Sequence, residues 1–102
     1  MIDACQWHIY GLRRNAARVL VIQSDLLGTT RTRIVAPILC RDDAPPQHPR
    51  LLPTVQIGDE LWVADCMNLA TVPVFELSVH IADASAARDD VTRALDMVLV
   101  GV

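Results

Sequence analysis

The sequence lacks any long run of apolar residues, although 52% of its 102 residues are hydrophobic. Its apolar runs, such as 19–22, 34–40 and 97–100, are far shorter than the roughly 18 residues that a membrane-spanning helix needs. A chain of this length and composition predicts one globular domain over residues 1–102. Its first residues show no basic segment ahead of an apolar one, so we expect no secretory signal and a cytoplasmic protein.

Cysteine is scarce, and basic residues do not outnumber acidic ones. Cys5, Cys40 and Cys66 are odd in number and widely spaced, which favours reduced thiols over a disulfide framework. The formal charge of −3 gives no general attraction to phosphates, so nucleic-acid binding would need a local basic patch. The arginines that could form a basic edge, for a phosphate or an acidic peptide, are Arg13, Arg14, Arg18, Arg31 and Arg33. Solvated turns explain the same residues equally well.

No motif for catalysis or metal binding stands out. The serines lack the elbow motif of hydrolases, so no catalytic residue is predicted. Cys5 and His8 form only one close pair of metal-ligand types, whereas a structural zinc site usually brings two, and we predict no metal and no cofactor. Asp59 and Glu60 lie together in a short turn, where we interpret them as solvated turn residues rather than an acid–base pair.

Over most of the chain the apolar residues alternate with a period near two, which predicts an antiparallel sheet. The predicted strands are 7–10, 19–23, 33–39, 54–57, 61–64 and a last one with Phe75, Leu77 and Val79 on its buried face. Gly58 can adopt positive φ and favours a tight hairpin between the fourth and fifth strands. Pro37 cannot donate a ladder hydrogen bond and is expected at an edge or bulge. Residues 41–50, which contain three prolines, predict an exposed extended loop.

Near the end of the chain the period becomes helical. The residues on the apolar stripe of this predicted amphipathic helix are Ala87, Val91, Ala94, Leu95 and Val98. Ser85 is the predicted N-cap, and Asp89 and Asp90 place negative charge near the positive end of the helix dipole. Gly101 is suited to end the helix. One helix packed on an antiparallel sheet is therefore the predicted architecture.

Three sequence blocks carry a family resemblance. They are VLVIQSDLL (19–27) with RIVAPI (33–38), LPTVQIGDELW (52–62) with NLATVPV (68–74), and the C-terminal residues 90–102. In this order and spacing they resemble the CcdB family of plasmid-addiction toxins. The resemblance runs from about Val19 to the end of the chain, whereas residues 1–18 match only as a first hairpin of similar length.

The resemblance implies a mainly β fold, an SH3-like small barrel of about five antiparallel strands with a C-terminal α-helix. It implies the toxin of a type II toxin–antitoxin module that binds the DNA gyrase A subunit and traps the gyrase–DNA cleavage complex. Such a protein acts by binding and is not an enzyme. The family forms a symmetric homodimer, neutralised by a CcdA-like antitoxin whose disordered segment folds on binding.

The resemblance also implies a gyrase-binding site in the last residues of the sequence. CcdB-like toxins end in tryptophan, glycine and isoleucine, which they present to gyrase, and the matching residues here are Val100, Gly101 and Val102. These three are the predicted gyrase-binding residues, with valine in place of an aromatic ring that would stack on a gyrase arginine. The other interpretation is that they finish the apolar stripe of a core helix.

Two alternatives remain at this point. The first keeps the fold, the dimer and the antitoxin but assigns a weakened or altered target, because Val100 replaces the family's tryptophan. The second is an endoribonuclease like the MazF toxins, whose small barrel is related to that of CcdB. No MazF strand motif or basic RNA-cleaving residues are present, and the acidic balance disfavours an RNA groove.

Overall fold

The structure, a computed structural model, describes residues 4–101. It contains seven strands in one antiparallel sheet and a C-terminal α-helix. The elements are β1 (His8–Leu12), β2 (Arg18–Val21), β3 (Thr32–Leu39), β4 (Thr54–Ile57), β5 (Glu60–Ala64), β6 (Ala70–Pro73), β7 (Leu77–Asp83) and α1 (Arg88–Leu99). The mainly β prediction with a terminal helix is confirmed, and β6 is a strand that the periodicity does not predict.

Strand β3 has two partners along one side. The sheet order is β4-β5-β3-β2-β1-β7, and β6 pairs with the first half of β3 while β5 pairs with its end. Pro37 lies between these two pairings, where its carbonyl accepts a hydrogen bond from the Asp65 N–H at 2.8 Å. The N–H and C=O of a strand residue point to the same side, so the donor that proline lacks would face this break in the ladder. Pro37 is therefore tolerated in a central strand.

The curled sheet is buried on both faces. The larger core lies between the sheet and α1, and its members are Ile9, Leu20, Ile22, Ala36, Ile38, Val55, Ala64, Cys66, Ala84, Ala87, Val91 and Ala94. The smaller core lies on the other face and contains Ala4, Tyr10, Val19, Val21, Val35 and Leu77. Alternate residues of the central strands enter opposite cores, as the pleat requires. This two-sided burial fixes the register of β1, β2 and β3.

The helix follows its predicted stripe. Val91 and Ala94 are fully buried against the sheet, and Leu95 packs beside them. The predicted Ser85 cap is wrong, because residues 85–87 form a 3₁₀ turn and Ala87 occupies the cap position without a side-chain hydrogen bond. The Ser85 N–H instead donates to Asp83 Oδ1 at 2.9 Å. No helix within residues 4–101 is long and apolar enough to cross a membrane.

Several predicted boundaries shift for local reasons. Trp7 has φ of 69°, outside the extended region, so β1 begins one residue later at His8. In the last strand only Leu77 is buried as predicted, whereas Phe75 and Val79 are 68% and 65% exposed. The cause is that residues 74–76 form a 3₁₀ turn and the β1–β7 register shifts twice, which breaks the alternation. The predicted loop 41–50 also contains a short 3₁₀ turn, Arg41–Asp43.

Candidate functional site

The C-terminal end of α1 is the first candidate site. The N–H groups of Val100 and Gly101 both donate to the Asp96 carbonyl, at 2.8 and 3.0 Å. Gly101 has φ of +85°, the left-handed conformation that glycine adopts at the end of a helix without steric cost. The prediction that Gly101 ends the helix is confirmed. Val102, the third predicted gyrase-binding residue, lies outside the described residues.

Two apolar side chains near this end, those of Leu99 and Val100, face solvent. Leu99 and Val100 are each 71% exposed, whereas Val91 and Ala94 of the same helix are fully buried. Exposure of one apolar residue is ordinary, but two consecutive ones at a free helix end form a small apolar tip. Leu99 and Val100 therefore add little to the core in this chain, and their apolar surface is available to a binding partner. We call residues 99–101 the helix tip.

The second candidate site is an open cleft of about 1040 Å³ between the β2–β3 connection and the start of β7. Its lining residues are Ala4, Cys5, Arg13, Asp25, Gly28, Thr29, Thr30, Arg31, Arg33, Val74, Phe75, Leu77 and Ser78. Three guanidinium groups face one carboxylate, so this arginine cleft is locally positive in a chain with net charge −3. Guanidinium groups bind carboxylates and phosphates through paired hydrogen bonds. An anionic partner is the ligand class that such a lining favours.

Arg33 forms the floor of the arginine cleft and is only 8% exposed. Its guanidinium donates to the carbonyls of Gly28, Thr30, Thr32 and Ala4, at 3.0, 2.7, 2.9 and 3.3 Å, and to the Thr30 hydroxyl at 3.2 Å. These acceptors are neutral, so the positive charge is held in place without being cancelled by a carboxylate among them. Arg33 ties the β2–β3 connection to the N-terminal segment and raises the local potential.

The structure divides the five arginines of the predicted basic edge. Arg13, Arg31 and Arg33 line the arginine cleft. Arg14 Nη2 lies 3.8 Å from Glu76 Oε1, and the Arg18 guanidinium lies 4.7 Å from the centre of the Trp62 ring. Only three of the five therefore converge. Sequence reasoning could group these residues but could not separate them, because the burial of Arg33 depends on carbonyls of the β2–β3 connection.

The other residue types weighed for chemistry are scattered between the core and the surface. Within residues 4–101 no group of three or more His, Cys, Asp or Glu side chains is placed to hold a metal ion. Asp59 and Glu60 are exposed at the β4–β5 turn, where Gly58 has φ of +61°, and neither lines the arginine cleft. The three cysteines are free thiols. The helix tip and the arginine cleft remain as the two candidate sites.

The three thiols differ in environment, which predicts their order of reaction. Burial, and next the Asp65 carboxylate, raise the pKa of the Cys66 thiol from 9.0 to about 11. At pH 8 about one molecule in a thousand would then carry the reactive thiolate, so Cys66 should not react with a disulfide reagent until the protein unfolds. Exposed Cys40 should react first. Thiol titration with and without guanidinium chloride measures this; loss of the fast phase in Cys40→Ser assigns it, and fast labelling of Cys66 in the native protein would contradict it.

A comparison with protein families matches residues 6–101 to the model described as CcdB protein. The match covers nearly all the chain, including the first hairpin, which the sequence blocks alone leave without a distinctive motif. It also includes Val100 and Gly101 of the helix tip.

Solved structures share the fold at low sequence identity. An endoribonuclease from a mycobacterial species aligns with a TM-score of 0.76 at 15% identity, covering 97% of this chain and 93% of that one. A mycobacterial endoribonuclease in complex with its cognate antitoxin gives 0.78 at 14% identity, covering 93% of each chain. The Mycobacterium tuberculosis toxin MazF-mt6 gives 0.71 at 18% identity, covering 89% of this chain and 94% of that one. At such identities the likeness establishes a shared fold.

Proposed function

Since this chain belongs to the CcdB family, whose members are toxins of toxin–antitoxin modules, we propose that it binds the DNA gyrase A subunit through its helix tip. Binding there would hold gyrase on cleaved DNA, so the toxin would block replication without any turnover of its own. A protein that acts in this way needs an accessible binding surface rather than catalytic residues.

The exposed helix tip carries this proposal. Leu99 and Val100 are both 71% exposed, on a helix whose opposite stripe is anchored in the core by Val91 and Ala94. The glycine turn at Gly101 stops the helix and fixes the direction in which these side chains project. A rigid element that presents apolar side chains to solvent is a suitable anchor for a protein interface.

Two partners complete the proposal. A second copy of the chain would form the symmetric homodimer of the family, which presents two helix tips to a two-fold target. A cognate antitoxin would neutralise it, as the mycobacterial relative of the same fold is found with its own antitoxin. The arginine cleft suits an acidic segment of that antitoxin, because three guanidinium groups line it.

The test is a gyrase cleavage assay with purified protein and supercoiled plasmid. We expect the full chain to stabilise linear, cleaved DNA and a variant lacking residues 100–102 to lose this effect. The deletion removes two terminal hydrogen bonds to Asp96 and leaves the buried stripe of α1 intact, so the variant should remain folded. Circular dichroism and light scattering verify fold and dimer in the same samples. A folded dimer without any cleavage activity would refute gyrase poisoning.

The lining of the arginine cleft favours testing the RNA-cleaving alternative as well. The arginine cleft combines three guanidinium groups with Thr29, Thr30 and the exposed Phe75 ring, a set that could hold a phosphate and stack on a base. The same protein preparation should therefore be incubated with single-stranded RNA. Cleavage that disappears in Arg13→Gln and persists without residues 100–102 would assign the activity to the cleft instead of the helix tip.

A further inference from the structure

Two histidines from opposite ends of the chain meet on neighbouring strands. His8 lies in β1 and His80 in edge strand β7, and His8 Nδ1 is 2.8 Å from His80 Nε2. The ring centroids are 5.0 Å apart, with 48° between the ring planes. At this distance one imidazole donates an N–H hydrogen bond to the other, so one proton lies between the two nitrogens. The pair takes no part in the helix tip or the arginine cleft.

The irregular pairing of β1 with β7 determines which residues lie next to the two histidines. His80 pairs with Tyr10, but His8 pairs with Asp83, because the register shifts between Ile9 and Tyr10. Pairing places His80 on the face of Tyr10, and alternation along β1 places His8 on that same face, while the shift sets Asp83 opposite His8. The His80 ring packs edge-on against the Tyr10 ring, with centroids 5.4 Å apart. Both imidazoles therefore project from hydrogen-bonded strands, and His80 is exposed to solvent.

The Asp83 carboxylate lies beside the His8 ring, on the side away from His80. Asp83 Oδ2 is 3.8 Å from His8 Nε2, the nitrogen that points away from His80, while Asp83 Oδ1 accepts the Ser85 N–H at 2.9 Å. Metal-binding histidines commonly direct their second nitrogen at a carboxylate, which sets the tautomer and makes the ligating nitrogen more basic. A proton held at Nε2 beside Asp83 would leave the Nδ1 lone pair free for a ligand.

We propose that His8 Nδ1 and His80 Nε2 together bind one divalent transition-metal ion of the class that prefers imidazole, with water in the remaining positions. As the ion binds, the proton between these two nitrogens transfers to His80 Nδ1, so both imidazoles stay neutral and both ligating lone pairs become available. For a metal about 2.05 Å from each nitrogen, the observed 2.8 Å separation corresponds to an angle of about 86° at the ion. The right angles of tetragonal Cu²⁺ and Ni²⁺ complexes suit this spacing, whereas a tetrahedral Zn²⁺ angle needs nitrogens about 3.3 Å apart. The rings now face each other, so His80 tilts about its side-chain bonds for the lone pairs to converge.

The site is open and has two protein ligands. Within residues 4–101 no third His, Cys, Asp or Glu converges on the pair. Binding is therefore weaker than at a closed four-ligand site, and oxygen-preferring Mg²⁺ is excluded by the ligand type. A bound ion would join edge strand β7 to β1 and would stabilise only the folded state, in which the two rings are adjacent.

The test uses the untagged full chain with NiCl₂, CuCl₂, ZnCl₂ and MgCl₂, followed by calorimetric titration and thermal unfolding. His8→Gln and His80→Gln should each weaken Ni²⁺ binding by about tenfold or more and remove the rise in melting temperature. His48→Gln, which alters the chain's third histidine, and Cys40→Ser, which removes the exposed thiol, should leave both unchanged. Substoichiometric Cu²⁺ should broaden amide NMR signals of β1 and β7 before those of β4.

Asp83→Asn tests whether Asp83 orients the His8 ring rather than binding the metal ion itself. The asparagine oxygen can still accept the Ser85 N–H, so the fold is kept while the charge behind His8 is removed, and we expect a Ni²⁺ affinity loss smaller than that of His80→Gln and up to about tenfold. Unchanged Ni²⁺ affinity in folded His80→Gln, loss of binding in Cys40→Ser, or broadening centred away from β1 and β7 would each overturn the proposal. Because none of these readouts involves gyrase, they are independent of the proposed toxin activity.

Discussion

Arg33→Met is expected to lower the free energy of unfolding by about 2 to 4 kcal/mol, because it removes a buried charge that is held by hydrogen bonds. Methionine replaces the aliphatic stem of the arginine side chain but has no guanidinium, so the change keeps the packing of the stem and removes the hydrogen-bond donors. Four backbone carbonyls, those of Ala4, Gly28, Thr30 and Thr32, lose the guanidinium as a hydrogen-bond donor, although the Thr32 carbonyl keeps the Thr30 hydroxyl. Urea unfolding followed by circular dichroism measures the loss.

Arg31→Met is the matched control for this experiment. Arg31 lies two residues away on the same segment and is exposed, so its replacement should change the stability by no more than about 0.5 kcal/mol. Hydrogen exchange should show amides of residues 28–32 opening faster in Arg33→Met and unchanged in Arg31→Met. Equal stabilities of the two variants would mean that the carbonyls find water at no cost and that Arg33 does not organise the cleft.

Val100→Trp is expected to strengthen gyrase binding by about 5- to 30-fold, if the helix tip is the gyrase-binding surface as proposed. The gain corresponds to about 1 to 2 kcal/mol for an aromatic ring stacked on a guanidinium group of the target. The side chain is 71% exposed, so a larger one can be accommodated without rearranging the core. The concentration of protein that gives half-maximal plasmid linearisation by gyrase measures the effect, and Val100→Asp should raise this concentration by a similar factor or more.

Met67→Trp is the control for nonspecific binding by an exposed aromatic ring. Met67 is 52% exposed in the turn after β5, outside the helix tip, so a tryptophan there should leave the half-maximal concentration unchanged. An equal gain from both substitutions would indicate nonspecific association. No change with Val100→Trp, in a folded protein that does poison gyrase, would place the contact elsewhere on the surface.

The parts of the fold predictable from sequence are those whose signals are local. Thr54–Ile57 and its hairpin follow from alternation and a glycine that tolerates positive φ, and Gly58 is indeed at +61°. The stripe through Val91 and Ala94 predicts which side of α1 is buried. Each of these features is decided within a few residues of chain, where period and turn chemistry act.

The parts that escaped prediction depend on distant segments. Strand β6 pairs only with the first half of β3, and its half-exposed residues carry no alternation. Arg33 is buried because its own connection folds back over it, so that the carbonyls of Gly28 and Thr30 accept from its guanidinium, and because Ala4 of the N-terminal segment also contacts it. The sequence gives no local pattern for such burial of a charged residue. His8 and His80 meet only through the β1–β7 pairing. The family resemblance predicts the position of the helix tip, but its exposure depends on how α1 packs against the sheet.

The pairing of β1 with β7 also limits when the sheet can be completed during synthesis of the chain. Residues 8–12 find their outer neighbour only in residues 77–83, so β1 keeps one unpaired edge until that part of the chain has been synthesised. The helix that covers the larger core, and the tip at its end, emerge from the ribosome later still. A translation product interrupted before residue 77 would therefore lack both the closing strand and the helix tip. If the tip is the toxic surface, the cell would meet active toxin only after residues 99–101 have been synthesised.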